Sequence, residues 1–182
     1  MYRKTIRAAL ALVTILINGC VSFQAHNLPT IPPREAQAVR AEKVKVFTQW
    51  RDQIDRKTYA NTYGYATENE LMKSGCCEIV REASEATLLL TGKTNTINTL
   101  GDFQKILSGS LFYIIPTWHT NNVHINVTAF DGEKKNNYSF SDSYTQVVWL
   151  PFIVVAPFTS SPNLIDNINR NIIVALKKDG YL

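Results

Sequence analysis

Histidine, cysteine and methionine are all scarce in this 182-residue chain, at three, three and two copies. No Cys-x-x-Cys, Cys/His cluster or H-E-x-x-H occurs, so the patterns of structural zinc, dithiol redox and metalloprotease sites are missing. His119 and His124 stand five residues apart, and His26 lies far upstream. No metal and no cofactor is expected. Gly92-Lys93-Thr94 echoes the end of a phosphate-binding loop, but that loop needs a glycine five residues before Gly92, and Thr87 stands there. Ser110 sits in "SGSLF", which is not a nucleophile elbow. Ser110, His119 or His124, and Asp102 or Asp142 can be combined into a triad on paper, but a triad is defined by geometry rather than by inventory. Long apolar runs are also lacking: none approaches the roughly 20 residues a helical membrane span requires. Like charges run no longer than pairs such as Lys134–Lys135 and Lys177–Lys178, which suit a solvated surface and argue against a nucleic-acid partner.

What the sequence does have begins at its amino end. Arg3, Lys4 and Arg7 precede Ala8 to Ile17, ten residues without a charge. A basic start followed by an apolar stretch of about 7–15 residues is the layout of a secretory signal peptide. No A-x-A cleavage site follows. Instead the stretch ends in Ile17-Asn18-Gly19-Cys20. This tetrapeptide resembles the lipobox of bacterial lipoproteins, with Asn18 departing from the small residue more usual there. The resemblance implies cleavage between Gly19 and Cys20 and lipid attachment at Cys20. A residue carrying two or more acyl chains holds a protein stably at a bilayer. Val21, where the family places aspartate to retain a lipoprotein in the inner membrane, implies sorting to the outer membrane, with the domain in the periplasm.

Three of the 19 basic residues, and none of the 15 acidic ones, lie before Cys20, so the remainder carries only +1. The sequence divides into a signal peptide (1–19), a lipidated tether (20–33) and a periplasmic domain (34–182). Three prolines within Val21 to Pro33 suggest an extended tether reaching up to roughly 40 Å. Cys76 and Cys77 are adjacent. Because bridged Cα atoms usually lie about 4.4–6.8 Å apart, the sequence favours two thiols, one buried in a strand, over a vicinal bridge or an intermolecular disulfide.

Periodicity predicts an α+β domain, mainly an antiparallel sheet with an amphipathic C-terminal helix. Strands are expected over Glu42–Phe47, Cys77–Val80, Thr87–Thr94 and Leu111–Ile115. Another is centred on Val123, Ile125, Val127 and Ala129, whose alternation with His124, Asn126 and Thr128 gives one core face and one polar face. Asp131-Gly132 turns the chain into a return strand over Tyr138–Tyr144. Helices are expected near Thr58–Lys73, ended by Gly75, over Thr99–Leu107, and over Asn163–Lys178, ended by Gly180. Tyr59, Tyr63 and Tyr65 invite a sugar-stacking reading, but tyrosines at the edge of a small core are the more ordinary outcome.

The run "VVWLPFIVVAPF" (Val147 to Phe158) has no polar side chain. Core burial is its commonest fate, and Trp149 and Phe152 are its candidate contacts with a membrane or a protein partner. "LSGSLFYIIPTW" together with "SDSYTQVVWLPF" resembles a group of uncharacterised Gram-negative lipoproteins, and the order helix, Gly75, strand, "TLLLTGKT" looks like the middle of periplasmic α/β lipoprotein domains. These likenesses imply a fold and no activity. The expected function is therefore an outer-membrane-anchored accessory, interaction or structural module that is not an enzyme and meets an envelope protein partner. The alternative is a lipid-anchored envelope hydrolase.

Overall fold

The computed structural model describes residues 20–54, 57–59, 62–99, 117–148 and 164–182. The chain is α+β. Its elements run β1 (Cys20–Gln24), β2 (Val44–Ile54), β3 (Lys57–Tyr59), α1 (Thr62–Lys73), β4 (Cys77–Ile79), β5 (Leu88–Asn98), β6 (Thr117–Phe130), β7 (Lys135–Val148) and α2 (Leu164–Lys178). Two compact units result: a larger one of Ala25–Ile97, Asn122–Ser143 and Asn163–Leu182, and a smaller one of Met1–Gln24, Asn98–Asn121 and Tyr144–Pro162. The expected strand at Leu111–Ile115, the helix at Thr99–Leu107 beyond its first residue, and both Trp149 and Phe152 lie outside the described residues.

In the larger unit the strand order is β7-β6-β5-β2-β3, with β4 also on β2. The sheet is mixed. The β6–β7 hairpin supplies the expected antiparallel pairing, and Asp131 closes its turn, with Oδ1 accepting from the Glu133 and Lys134 N–H groups at 3.1 and 2.7 Å. Strand β2 adds two parallel pairings, to β4 and to β5. Parallel strands need a crossover, and α1 lies between β2 and β4 to supply it.

The β6 alternation behaves as its sequence requires: Val123, Ile125, Val127 and Ala129 are buried, while His124 and Asn126 are exposed. Across β2 and β5 the buried cross-strand pairs change character along the strands. Val46 faces Leu88 and Trp50 faces Gly92, but Asp52 faces Thr94. Helix α1 ends as expected at Gly75, whose φ of 78° is the left-handed conformation that glycine adopts without a Cβ clash.

Helix α2 buries Leu164, Ile168, Ile172, Ile173 and Leu176, the apolar side of the expected amphipathic helix, but also Asn167, Asn169 and Asn171. Asn169 accepts from the Thr67 hydroxyl of α1 at 2.8 Å, whereas Asn167 and Asn171 are covered by residues 27–37, most of which were expected to belong to the tether. That stretch is not free but docked. The Asn167 amide accepts from the Ile31 N–H at 2.9 Å and donates to the Pro29 carbonyl at 3.1 Å, and Asn171 donates to the same carbonyl at 3.0 Å. Ile31 and Ala36 are buried, and Lys177 Nζ donates to the Glu35 and Gln37 carbonyls. At the far end of α2, Tyr138 and Asn136 of β7 both donate to Asp179, and burial with that carboxylate beside it pushes the Tyr138 phenol up to about 12.

Candidate functional site

The polar groups of the larger unit converge where α1, α2 and the docked 27–37 segment meet. Arg170, on α2, donates from Nε to Glu70 Oε1 of α1 at 3.1 Å and from an amino group to the Ile31 carbonyl at 3.3 Å. Lys73 stands 3.6 Å from the other Glu70 oxygen. Glu70 and Arg170 are both largely buried, so their pairing offsets part of the cost of desolvating each charge. Beneath them is a cleft of about 150 Å³ lined by Pro33, Ala36, Gln37, Lys73 and Ser74 together with the ion pair. Pockets for drug-sized ligands run to about 300–1,000 Å³, so this one has room only for something much smaller. Its charges are engaged with one another and with backbone carbonyls. Chemically this is a brace: it fixes the N-terminal segment onto two helices.

A second polar group lies deeper. Asp52 is fully buried on β2, and Oδ2 accepts from the Tyr63 N–H at 3.0 Å, with the Thr62 N–H also supporting the carboxylate. Those amides belong to the first turn of α1, whose leading N–H groups have no partner within the helix. Asp52 thus caps α1 from a neighbouring strand. Burial raises its pKa above the usual 3.8, and the amide hydrogen bonds only partly oppose that.

The residues singled out in the sequence disperse. His119 and His124 are an odd number of positions apart on β6, so their side chains leave opposite faces of one strand and cannot share a metal. Among the described residues no three His, Cys, Asp or Glu side chains are grouped closely enough to hold a metal ion. Asp142 accepts from the Asn27 and Ser143 N–H groups at 3.1 and 2.8 Å, a structural role, while Ser110 and Asp102 lie outside the described residues. Tyr63 is buried with its hydroxyl 3.2 Å from that of Thr96, whereas Tyr65 is 72% exposed, so these two form no shared platform for a sugar ring. Gly92 is explained by Trp50, not by phosphate. The indole lies across it so closely that a Cβ there would sit 2.2 Å from Cε3.

Cys76 and Cys77 correct the expectation of two thiols: they are joined as a vicinal disulfide. Both are buried, and the Ser74 hydroxyl donates to Cys76 Sγ at 3.1 Å. The usual Cα separation for a bridge excludes most adjacent pairs, and here the Cα atoms are 3.7 Å apart. Denatured protein is expected to yield no titratable thiol from these two positions until it is reduced, and both afterwards. Cys76→Ser or Cys77→Ser should cost little stability, since the stabilising effect of a bridge grows with the loop it closes and this loop is minimal. Thiols that titrate without reductant would remove the bridge.

No protein-family model and no curated protein matches the chain. Among solved structures it is similar to a neuraminyllactose-binding hemagglutinin homolog from Helicobacter pylori, at 13% identity and a TM-score of 0.38, covering 86% of this chain and 91% of that one. It is also similar to a Xanthomonas campestris protein of family DUF330, at 6% identity and a TM-score of 0.37, covering 80% of this chain and 97% of that one.

Proposed function

We propose that this chain is a lipoprotein anchored in the outer membrane through Cys20, with its folded part serving the envelope as an accessory, interaction or structural module rather than as an enzyme. The observation that carries the proposal is the sequence Ile17-Asn18-Gly19-Cys20 directly behind a basic start and a ten-residue apolar stretch. Among the described residues no helix is long and apolar enough to cross a membrane. The polar chemistry of the larger unit supports a non-catalytic role, because Arg170, Glu70, Asn167 and Asp52 are all engaged in holding segments together.

The experiment is metabolic labelling of the full chain with radioactive palmitate. The wild type should be labelled and cleaved before Cys20. Cys20→Ala should lose all label and accumulate as the uncut precursor. Label persisting on Cys20→Ala would overturn the anchor.

A further inference from the structure

The lipid anchor and the smaller unit bear directly on each other. Cys20 is not the free end of a spacer: it opens β1 and pairs with Val148 of β7. The strand then pairs Val21 with Val147 and Phe23 with Thr145. Residues opposite one another in an antiparallel pair share a face, so Phe23 and Thr145 do. Thr145 in turn meets Thr120 of β6, with their hydroxyl oxygens 2.8 Å apart, which brings Thr120 onto that face. Two residues earlier on β6, and so again on the same face, is Trp118, with half-buried Val147 at the matching place on β7. Phe23 is 55% exposed and Trp118 54% exposed. Two aromatic rings thus stand free on one surface of the unit that begins with the proposed lipid-bearing residue.

The rest of the unit matches that surface. From Cys20 onward its sequence contains only two charged residues, Asp102 and Lys105; every other charge of the chain after Cys20 belongs to the larger unit. A protein-binding surface on a domain with so many charges elsewhere would ordinarily carry a polar rim. The part of a surface that enters the acyl boundary carries little charge, and tryptophan and other aromatics favour the interfacial layer. Phe23 is three residues from Cys20, within about 10 Å along an extended strand. Alternation sends the Cys20 side chain to the other face of β1 from Phe23, but Cys20 is the first residue of the strand, so its acyl chains hold the end of β1, and with it Phe23, within about 10 Å of the bilayer surface without any intervening spacer.

We infer that the smaller unit lies on the bilayer, with Phe23 and Trp118 seated in its interfacial layer beside the lipidated Cys20. This rests on the anchor proposed above and extends it from a point attachment to a docked face.

The test uses the full lipidated chain reconstituted into vesicles of phosphatidylethanolamine and phosphatidylglycerol, with or without brominated acyl chains, which quench tryptophan on contact. Palmitate label is measured on the same preparation. Brominated lipid should quench the wild type at least twofold more than Trp118→Phe, and Phe23→Trp should be quenched more than the wild type. If the chain is labelled but its quenching is the same with and without Trp118, the docked face is wrong and the anchor stands. If the chain is not labelled, both fall. If quenching by lipid is absent, but Trp118 becomes shielded from aqueous iodide on adding an envelope protein extract, the face belongs to a protein and the bilayer proposal is overturned.

Discussion

Gly92→Ala should destabilise the larger unit by about 3 kcal/mol, at the upper end of what overpacking a well-filled core costs. The reason is local. Trp50 on β2 is the register partner of Gly92 on β5, and its six-membered ring occupies the space where a side chain would start. A Cβ at position 92 would lie 2.2–2.4 Å from Cε3, Cζ3 and Cδ2, atoms at the body of the indole with no flexible end to swing away. Gly64 of α1 meets the same residue at the other end of its ring system, with Cγ 2.7 Å from its own would-be Cβ. Glycine inside a helix costs roughly 1 kcal/mol relative to alanine, so Gly64→Ala gains something in propensity and loses more in the clash. Urea unfolding would measure both. Trp50→Phe in the Gly92→Ala background should recover part of the loss, because a smaller ring vacates the contested space, and the coupling can be read from a double-mutant cycle. Additive effects, or a stable Gly92→Ala with native fluorescence, would show that the sheet yields there.

The same tryptophan shows what could and could not be seen in the sequence. Alternation on β6 and the stripe on α2 are properties of neighbours in the chain, and both lead to the observed burial of Val123, Ile125, Ile168 and Ile172. That Gly92 makes room for Trp50 depends on a pairing across 42 positions that no local pattern encodes. The docking of residues 27–37 was missed for a related reason. Prolines in "NLPTIPP" do favour extended backbone, but an extended segment can lie against a helix as well as stand in solvent. The partner was visible only as an oddity, the asparagines Asn167 and Asn171 on the buried side of an amphipathic helix. In the fold they are the amides that read the Pro29 and Ile31 backbone. Candidate-site legibility was uneven. The lipobox is a contiguous signal and stands out at once, whereas Phe23 and Trp118 are 95 positions apart and share a face only through the register of β1 on β7 and the meeting of Thr145 with Thr120.

Asp52 carries the second large effect, and its sign can be worked out from its surroundings. Asp52→Ala removes the acceptor for the buried Tyr63 N–H, and should cost about 2–3 kcal/mol, combining a lost helix cap with an unsatisfied buried donor. Asp52→Asn keeps an acceptor oxygen at the same place and should retain most of the stability. The two variants therefore separate hydrogen bonding from charge. Burial raises the folded-state pKa of Asp52 above 3.8, so over the interval between the two values the folded protein binds more protons than the unfolded chain. Stability contributed by this group is fully present below about pH 3.8 and declines as pH rises through the folded value, after which it is constant. Asp131 and Asp179, both lowered by hydrogen bonds they accept, act in the opposite sense, gaining stability above the unfolded carboxylate pKa and losing it in acid. The raw profile of the wild type mixes these, whereas subtracting it from that of Asp52→Asn isolates position 52. That difference should favour the asparagine variant progressively more as pH rises from 3 toward neutrality, measured by urea unfolding at each pH. A flat difference would mean that the carboxylate feels no net burial. A difference of opposite slope would mean that the amides of α1 hold it as a stabilised anion, in which case Asp52 would be a charged cap and the acid sensitivity of the fold would begin there.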